Sequence, residues 1–380
     1  MPPQNPQSEI PNPKSVGVLG AGQLGRMLAL AGYSLGLRFR FLDPSSDACA
    51  GQLAEQMAGD YDDPAALERF AQGLDVVTYE FENVPVETAR VLLERVAVYP
   101  PPAALEVAQD RLAEKSFFRD HGIPTAPFLP SDTREEISKS LRTLGTPAVL
   151  KTRRFGYDGK GQAVIESSAN VEAAWTALGG RPLILEGFVP FDRELSVLAV
   201  RGRDGEMAFY PVVENHHREG ILRLSIAPAP HVTEEMQATA EGYARRVMEA
   251  LNYVGVLAME LFEVQGELLA NEMAPRVHNS GHWTIEGAET SQFENHLRAI
   301  LGMPLGSTAP RGHSAMLNII GDLPDTAEAL RLPNAHLHLY GKAPRPGRKI
   351  GHITLRTDDA GTLVEGIERL RGAMGVTHNA

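Results

Sequence analysis

The stretch GVLAMELFEVQGELLANEMAPRVHNSGHW, residues 255–283, decides the fold because it combines two strand-like runs with a polar cluster. The runs Val256–Val264 and Glu267–Met273 are rich in apolar residues, and Gln265-Gly266 lies between them. A short glycine-containing link between two such runs predicts a β-hairpin. We therefore expect two neighbouring antiparallel strands here.

Two glutamates of this hairpin are candidate metal ligands. A three-residue loop, Gln265–Glu267, would place Glu260 directly opposite Glu272, whereas a two-residue loop would pair Glu260 with Asn271. In the first register the Cβ atoms would lie about 5 Å apart, where like charges destabilise unless a cation lies between them. Mg²⁺ suits this position, since it prefers one or two carboxylates together with phosphate oxygens. The alternative is two solvated glutamates on an exposed hairpin, although the neighbouring residues are too apolar for free exposure.

A cluster of polar residues follows the hairpin at once. It contains Arg276, His278, Asn279 and His282. Donors of these types beside a metal site can bind a small planar oxyanion such as bicarbonate. A single histidine would more often be structural, but several donors together indicate a functional cluster.

Further upstream, a glycine-rich loop follows a lysine. Lys151 lies near the end of the predicted strand Ala148–Arg153, and Phe155–Gln162 then holds three glycines and a lysine. Such a loop can fold backbone N–H groups over phosphates, and together with Lys151 it predicts a mobile phosphate lid. An ordinary hairpin turn at Asp158-Gly159 is the alternative.

The next predicted strand, Leu183–Val189, contains Glu186-Gly187-Phe188-Val189 and is followed by Glu194. Free backbone groups at such a strand can pair with an adenine ring, and Glu194 can accept hydrogen bonds from ribose hydroxyls. The pattern alone would fit any strand with a surface carboxylate. Its position after the lid favours nucleotide binding.

A second glycine-rich loop, Gly20–Gly25, follows the predicted strand Ser15–Leu19 near the start of the chain. Its spacing lets backbone N–H groups at a helix start approach a phosphate, and Asp43 after the next strand could bind a ribose hydroxyl. This pattern alone indicates NAD or FAD. The same loop can also hold another phosphate or simply pack tightly, so it does not decide the function.

The composition describes a large, acidic chain. Its 380 residues, 43% of them hydrophobic, exceed the usual size of a single core, so two or three domains are expected. A net charge of -12 disfavours nucleic acid and anionic membranes, and any phosphate-bearing ligand then requires a local positive cluster. The residues Lys342, Arg345, Arg348 and Lys349 supply one, although a solvated basic loop is the alternative.

The expected compartment is the cytoplasm. The single cysteine, Cys49, cannot form an internal disulfide, which suits a reducing environment. The stretch Met1–Lys14 is rich in Pro, Asn and Gln, and we expect a disordered tail rather than a secretion signal. No uninterrupted apolar run approaches the length of about 20 residues that spans a bilayer as a helix.

Strands alternating with helices predict a fold of the α/β and α+β classes. We expect a parallel, Rossmann-like α/β domain at residues 15–102. Residues 103–305 predict a central α+β region with a lid lobe at about 120–190, and residues 306–380 a small β-rich C-terminal domain.

Three local elements are also predicted. Val96–Tyr99 and Ala208–Glu214 have the apolar character of strands, and Ala103–His121 has the pattern of one helical stretch.

These elements in this order resemble the ATP-grasp superfamily, and within it the ligases that carboxylate aminoimidazole ribonucleotide. The resemblance spans about Ser15–Arg371, and its most specific stretches are Gly20–Met27, Tyr79–Pro85, Phe155–Gln162, Asn271–Trp283 and Tyr340–His352. It implies a pre-ATP-grasp α/β domain, a central ATP-grasp module that clamps nucleotide between two lobes, a small C-terminal domain, and a homodimer.

The resemblance also implies the site residues. ATP would contact Arg111, Lys151, Gly156, Tyr157, Asp158, Gly159, Lys160, Gly161, Gln162, Glu186, Gly187, Phe188, Val189, Glu194, His217, Asn271 and Glu272. Glu260 and Glu272 would hold Mg²⁺ or Mn²⁺, and Arg276, His278 and Asn279 would surround bicarbonate, with Lys151 as a further catalytic group. Aminoimidazole ribonucleotide would bind Gln23, Glu82, Tyr157, Asp158, Lys342 and Arg348, so the first glycine loop would serve a mononucleotide rather than NAD.

The implied activity is ATP-dependent carboxylation of 5-aminoimidazole ribonucleotide with bicarbonate through carboxyphosphate, in de novo purine biosynthesis. Another ATP-grasp carboxylase or a formate-using ligase is the alternative within the class. An NAD-dependent oxidoreductase is favoured only by Gly20–Gly25 and Asp43. A non-catalytic nucleotide-binding regulator is a third possibility.

Overall fold

The structure is a computed structural model that describes residues 14–156 and 159–374. The expected N-terminal tail, apart from Lys14, lies outside the described residues, and so do Tyr157 and Asp158 of the predicted lid. Across these two ranges, none of the helices is both long enough and apolar enough to cross a membrane.

The elements follow one another in chain order. The strands are β1 Ser15–Leu19, β2 Arg38–Asp43, β3 Glu55–Ala58, β4 Val76–Tyr79, β5 Phe128–Pro130, β6 Ala148–Thr152, β7 Gln162–Ile165, β8 Leu183–Gly187, β9 Arg193–Arg201, β10 Met207–Phe209, β11 Val213–Arg218, β12 Ile221–Ala227, β13 Gly255–Val264, β14 Glu267–Ala274, β15 His313–Ile320, β16 Ala335–Leu339 and β17 Lys349–Thr357. The helices are α1 Gln23–Tyr33, α2 Pro64–Ala71, α3 Val86–Leu93, α4 Pro102–Ala108, α5 Arg111–Asp120, α6 Arg134–Leu144, α7 Val171–Leu178, α8 Glu234–Ala250, α9 Thr284–Gly287, α10 Gln292–Leu301, α11 Thr326–Leu330 and α12 Ala360–Ala373.

The first region is a parallel sheet with the strand order β3-β2-β1-β4. β1 pairs with both β2 and β4, and its residues Val16, Val18 and Leu19 are fully buried because apolar side chains pack on both faces of the sheet. Parallel strands covered on both faces require near-continuous apolar sequence, which these strands have. The predicted parallel α/β architecture is confirmed.

Two predicted strands are wrong, and a proline lies after the first and within the second. Val96–Tyr99 forms only an isolated parallel bridge, between Val98 and Val77, and Pro100 follows it directly. Ala208–Glu214 divides into β10 and β11 around Pro211. Proline has no N–H to donate to a ladder, so a strand interior does not tolerate it.

The predicted helical stretch Ala103–His121 is two helices, α4 and α5. The Asp110 carboxylate accepts hydrogen bonds from the N–H groups of Leu112 at 3.0 Å and Ala113 at 3.3 Å. This N-cap satisfies the first turn of α5 and therefore fixes a new helix start.

A small antiparallel sheet, which we call the lid sheet, has the order β5-β8-β6-β7. Its apolar face packs against α6 and α7 through residues such as Ile137, Leu150, Val171 and Leu185. The glycine-rich loop connects β6 to β7 at one end of this sheet.

The central sheet has the order β14-β13-β9-β11-β12-β15-β17-β16, and β10 pairs with β9. Strand β12, which the sequence did not predict, pairs with β11 on one side and with β15 on the other. The C-terminal strands therefore extend the central sheet. Residues Leu317, Ile353, Leu363 and Ile367 belong to a separate hydrophobic cluster that packs α12 against this extension.

Truncation of a buried residue in this extension should destabilise the protein. Ile353 of β17 is fully buried, so Ile353→Ala should lower the free energy of unfolding by about 2–5 kcal/mol through lost burial and a residual cavity. The matched control is Val364→Ala on α12, where the side chain is 62% exposed and the change should stay within about 0.5 kcal/mol. Urea denaturation followed by circular dichroism measures both, and equal effects would contradict the packing described.

Candidate active site

A cleft of about 620 Å³ opens between the N-terminal sheet, the lid sheet and the central sheet. Its walls hold most of the residues that the sequence predicts for the site. These are Gln23, Glu82, Arg111, Lys151, Gly156, Gly159, Lys160, Gln162, Glu186, Gly187, Phe188, Val189, Glu194, His217, Glu260, Asn271, Glu272, Arg276, His278 and Asn279. Residues that are distant in the sequence are therefore brought to one place.

The basic loop between β16 and β17 lies beside the part of the cleft that the N-terminal region forms. Lys342 donates a hydrogen bond from Nζ to Gln23 Oε1, although it does not line the cleft wall itself. Arg348 donates to the carbonyl of Ala343 at 3.2 Å and also lies outside the wall. Lys349, which the sequence predicts only as part of the positive cluster, does line the cleft.

In the hairpin β13–β14, Glu260 lies opposite Glu272 as predicted, but the turn is not the one that the prediction assumed. Gln265 and Gly266 form a two-residue turn with φ of 52° and 85°, and this turn alone would pair Glu260 with Asn271. A register shift after Glu260 makes Asn271 an extra residue on β14, so Glu260 pairs with Glu272. A β-bulge, and not a three-residue loop, therefore places the carboxylates opposite each other.

This pair of carboxylates fits a divalent cation. Burial and the neighbouring Glu272 carboxylate raise the pKa of Glu260 to about 8. Such a rise indicates an anionic position that lacks a neutralising charge. Among residues 14–156 and 159–374, no three His, Cys, Asp or Glu side chains form a metal site. A cation at the pair would thus take its other ligands from phosphate and water, as Mg²⁺ does.

Two histidines flank the carboxylates. His278 Nε2 lies 3.2 Å from Glu260 Oε1, and His217 Nδ1 contacts Glu194 Oε2. Burial, with the positive charge of Arg276, holds the pKa of His278 well below its usual range. Burial also lowers the pKa of His217, but the hydrogen bond to Glu194 and the charge of Glu260 raise it overall. His278 is therefore a neutral group and His217 the more basic one.

Glu186 at the lid sheet lies between two lysines. Lys151 Nζ is 3.0 Å from Glu186 Oε2, and Lys115 Nζ is 3.6 Å from the same oxygen. Burial alone would raise the pKa of Glu186, but the two cations outweigh it and hold the value at about 2. The sequence analysis missed Lys115, which is 1% exposed and donates to Thr125 Oγ1 at 2.9 Å. A lysine on the buried face of α5 was the available signal, since such a charge is normally paired.

Arg276 connects two parts of the cleft. Its Nε lies 2.5 Å from Glu82 Oε2, and its Nη1 donates to the carbonyl of Val277 at 3.0 Å. Burial opposes ionisation of both partners, yet their mutual attraction lowers the pKa of Glu82 and raises that of Arg276. The residues predicted for bicarbonate and for the ribonucleotide are therefore direct neighbours.

The glycine loop Gly20–Gly25 is already filled by the protein's own carboxylates. Glu80 accepts hydrogen bonds from the N–H groups of Gly22 at 2.5 Å and Gly25 at 3.0 Å, and Asp43 accepts from that of Ala21 at 2.9 Å. A Cβ on Gly22 would lie 2.4 Å from Glu80 Oε1, which explains the glycine. Because Glu80 occupies the helix N-terminus where a pyrophosphate would bind, the NAD interpretation loses its main support.

Two aromatic side chains that the sequence analysis missed also line the cleft. Phe191 and Phe262 stack with ring centroids 4.6 Å apart and an angle of 7° between the planes. Phe191 is 41% exposed, so this stack offers an apolar surface beside Glu194. A planar ring fits such a surface.

The raised pKa of Glu260 predicts a specific loss of stability with pH in the metal-free protein. The folded protein holds this proton more tightly than the unfolded chain, so the contribution is complete below about pH 4.5 and is lost as pH rises to about 8. Glu260→Gln should reduce the fall in melting temperature over this interval, whereas Glu267→Gln, exposed on the same hairpin, should not. Parallel curves for all three proteins would contradict the assignment. Thermal melts in EDTA at several pH values make the comparison.

Comparison with known families agrees with this geometry. Residues 13–109 match the ribonucleotide synthetase preATP-grasp domain, residues 116–293 the ATP-grasp domain, and residues 314–365 the phosphoribosylaminoimidazole carboxylase C-terminal domain. The chain is 56% identical to the N5-carboxyaminoimidazole ribonucleotide synthase of Pseudomonas aeruginosa over 348 residues, which cover 92% of this chain and 96% of that protein.

Solved structures show the same similarity. The N5-carboxyaminoimidazole ribonucleotide synthetase of Thermus thermophilus superposes with a TM-score of 0.92 at 64% identity, over 96% of this chain and 99% of that chain. The Aspergillus clavatus synthase, in complex with ADP and 5-aminoimidazole ribonucleotide, superposes with a TM-score of 0.90 at 35% identity, over 96% and 100%. The chain therefore belongs to the N5-carboxyaminoimidazole ribonucleotide synthase family of ATP-grasp ligases.

Proposed function

We propose that this chain uses ATP and bicarbonate to carboxylate 5-aminoimidazole ribonucleotide, forming N5-carboxyaminoimidazole ribonucleotide, ADP and phosphate in de novo purine biosynthesis. Proteins that are similar to this chain over most of its length are named as this synthase. The structure of one relative contains ADP and 5-aminoimidazole ribonucleotide. The observation that supports the proposal most directly is the opposition of Glu260 and Glu272 beside Arg276, His278 and Asn279 in one cleft.

The nucleotide occupies the part of the cleft between the lid sheet and the central sheet. The backbone of Glu186–Val189 pairs with adenine, while Glu194 and His217 bind the ribose. Arg111 donates to the carbonyls of Thr152 at 2.9 Å and Gly156 at 3.4 Å, so it supports the base of the lid loop. Lys151 and the loop from Gly156 to Gln162 bind the phosphates, and loop closure gates the site.

Glu260 and Glu272 hold Mg²⁺, with Asn271 beside them on the bulge. The ion, when bound, neutralises charge on the phosphates and orients the terminal phosphoryl group. The protein's part is to keep both carboxylates on one face of a rigid sheet. Buried anions at this position favour the loaded over the empty state.

Bicarbonate and the ribonucleotide occupy adjacent subsites that the Glu82–Arg276 ion pair joins. Arg276, His278 and Asn279 surround bicarbonate. The ribonucleotide binds Gln23 and Glu82 together with the basic residues Lys342 and Arg348. Tyr157 and Asp158, which lie outside the described residues, remain predicted contacts. Carboxyphosphate and the amine of the ribonucleotide are then close enough for direct transfer of the carboxyl group.

The reaction proceeds in two displacements. A bicarbonate oxygen attacks the γ-phosphorus, the bond to the bridging oxygen breaks, and ADP leaves. The substrate amine then bonds to the carboxyl carbon of carboxyphosphate, phosphate leaves, and the amine loses a proton. Lys151 and Arg276 offset the charge that accumulates as two anions meet, and the closed cleft keeps water from the intermediate.

We further propose a homodimer that works in the cytoplasm. The homodimer rests on the family resemblance, and the cytoplasm on that resemblance together with the single cysteine, Cys49.

Removal of one metal-binding carboxylate tests the chemistry. Glu272→Ala should lower bicarbonate-dependent phosphate release from ATP by more than about 100-fold, because the transferred phosphoryl group loses its cation. The exposed residue of the same hairpin, in Glu267→Ala, should leave the rate unchanged. Phosphate release is measured with bicarbonate or formate, with and without 5-aminoimidazole ribonucleotide. Full turnover by Glu272→Ala would remove the metal role, and activation by formate alone would favour a formate-using ligase.

Arg276 is predicted to act on bicarbonate and not on ATP. Arg276→Ala should abolish the stimulation of phosphate release by bicarbonate, while the dissociation constant for ATP changes less than about threefold. Arg311→Ala, at an exposed ion pair with Glu289, is the matched control. Calorimetric titration with a non-hydrolysable ATP analogue provides the binding measurement. Loss of ATP binding in Arg276→Ala would instead assign this arginine to the nucleotide.

A further inference from the structure

A chain of buried hydrogen bonds crosses the central sheet and ends at His278. Ser225 Oγ donates to Asn215 Oδ1 at 2.7 Å, and Asn215 Nδ2 donates to Ser196 Oγ at 2.8 Å. Ser196 Oγ in turn donates to Ser280 Oγ at 2.9 Å, which lies 2.9 Å from His278 Nδ1. Ser225, Asn215 and Ser196 come from the adjacent strands β12, β11 and β9.

This series of hydrogen-bonded polar side chains is unusual for the buried interior of a sheet. The exposed fractions of Ser196, Ser225 and Ser280 are between 0% and 1%, and that of Asn215 is 6%. Buried polar groups cost stability unless each is hydrogen-bonded, and apolar side chains would fill the same sheet face without that requirement. Here each of the four buried side chains is hydrogen-bonded to the next, and the last of them, Ser280, contacts His278 in the cleft.

The hydrogen bonds around His278 indicate which of its two nitrogens carries hydrogen. The amide nitrogen of Asn215 only donates, so Ser196 Oγ accepts there and its own hydrogen is available to Ser280 Oγ. The hydroxyl hydrogen of Ser280 then remains for His278 Nδ1. The backbone N–H of Ser280, which only donates, also faces this nitrogen at 3.3 Å.

We propose that Ser225, Asn215, Ser196 and Ser280 are positioning residues that hold His278 with an acceptor Nδ1 and a donor Nε2–H directed into the cleft. His278 then acts as a hydrogen-bond donor to bicarbonate and does not act as a general base. Its Nε2 lies 3.2 Å from Glu260 Oε1, on the side of the ring that faces the cleft. The role assigned to His278 deepens the proposed function and rests on it, whereas the position of the hydrogen does not.

The chemistry of the first step agrees with a donor. Bicarbonate already carries the negative charge with which it attacks phosphorus, so no base is required to activate it. A fixed N–H donor orients one bicarbonate oxygen and leaves another free for in-line attack. Rotation of the imidazole, or transfer of the hydrogen to Nδ1, would remove this donor.

The position of the hydrogen can be measured directly. Protein labelled with ¹⁵N-histidine gives long-range nitrogen–proton correlations that distinguish the two neutral tautomers, and His278→Gln identifies the His278 signals among the 12 histidines. We expect an unprotonated Nδ1 and a protonated Nε2. A hydrogen on Nδ1 would overturn the proposal. The tautomer can be measured whether or not the protein is active. Failure to release phosphate from ATP with bicarbonate would reject the proposed function but not the assigned position of the hydrogen.

Kinetics test the positioning role. Ser196→Ala interrupts the chain without adding volume and should lower kcat about tenfold or more, with KM for ATP within about twofold. The matched control is Ser314→Ala on β15 of the same sheet, because Ser314 is fully buried and its hydroxyl has no hydrogen-bond partner among the residues that the structure describes. Equal kcat values in the two variants would overturn the positioning role.

A pair of substitutions at His278 separates the two nitrogens. The amide of Gln reaches the place of Nε2, while that of Asn reaches the place of Nδ1. We expect His278→Gln to retain at least about tenfold more kcat than His278→Asn. The reverse order would contradict a donor role for Nε2, and circular dichroism confirms that each variant is folded.

Discussion

The repulsion between Glu260 and Glu272 is the constraint on which the rest of the site depends. The sheet places them in register on adjacent buried strands, where burial and their mutual charge disfavour two ionised groups. Such an arrangement is stable only when a cation is bound or a proton is held. The bulge at Asn271 creates the arrangement, so a local irregularity of one strand determines where the two carboxylates meet.

Two further carboxylates in the cleft are paired with cations. Glu186 is held ionised between Lys151 and Lys115, and Arg276 is held by Glu82. These ion pairs hold Lys151, Lys115 and Arg276 in place through contacts within the protein. Acid–base pairing thereby keeps cations in the cleft of a chain whose net charge is -12.

The sequence predicted the fold class from alternating strands and helices, and some cleft residues, such as Lys151 and Glu260, lie in short motifs with their own chemistry. Others, such as Arg111 and His217, followed only from the family resemblance. The sequence did not predict the bulge, since turn geometry alone gives the other register. It also missed Lys115 and the insertion of Glu80 into the glycine loop, because both depend on contacts between residues far apart in the chain. The site assignments themselves remain predictions.

Strand β12 has a consequence for the modularity of the chain. Family comparison divides the sequence into three successive segments, but the C-terminal strands continue the same sheet through the β12–β15 ladder. Removing the last segment would leave β12 as an open edge, with unpaired backbone groups available to other chains. The C-terminal segment therefore protects an edge of the central sheet. Although it matches a separate family model, it does not fold as a separate unit.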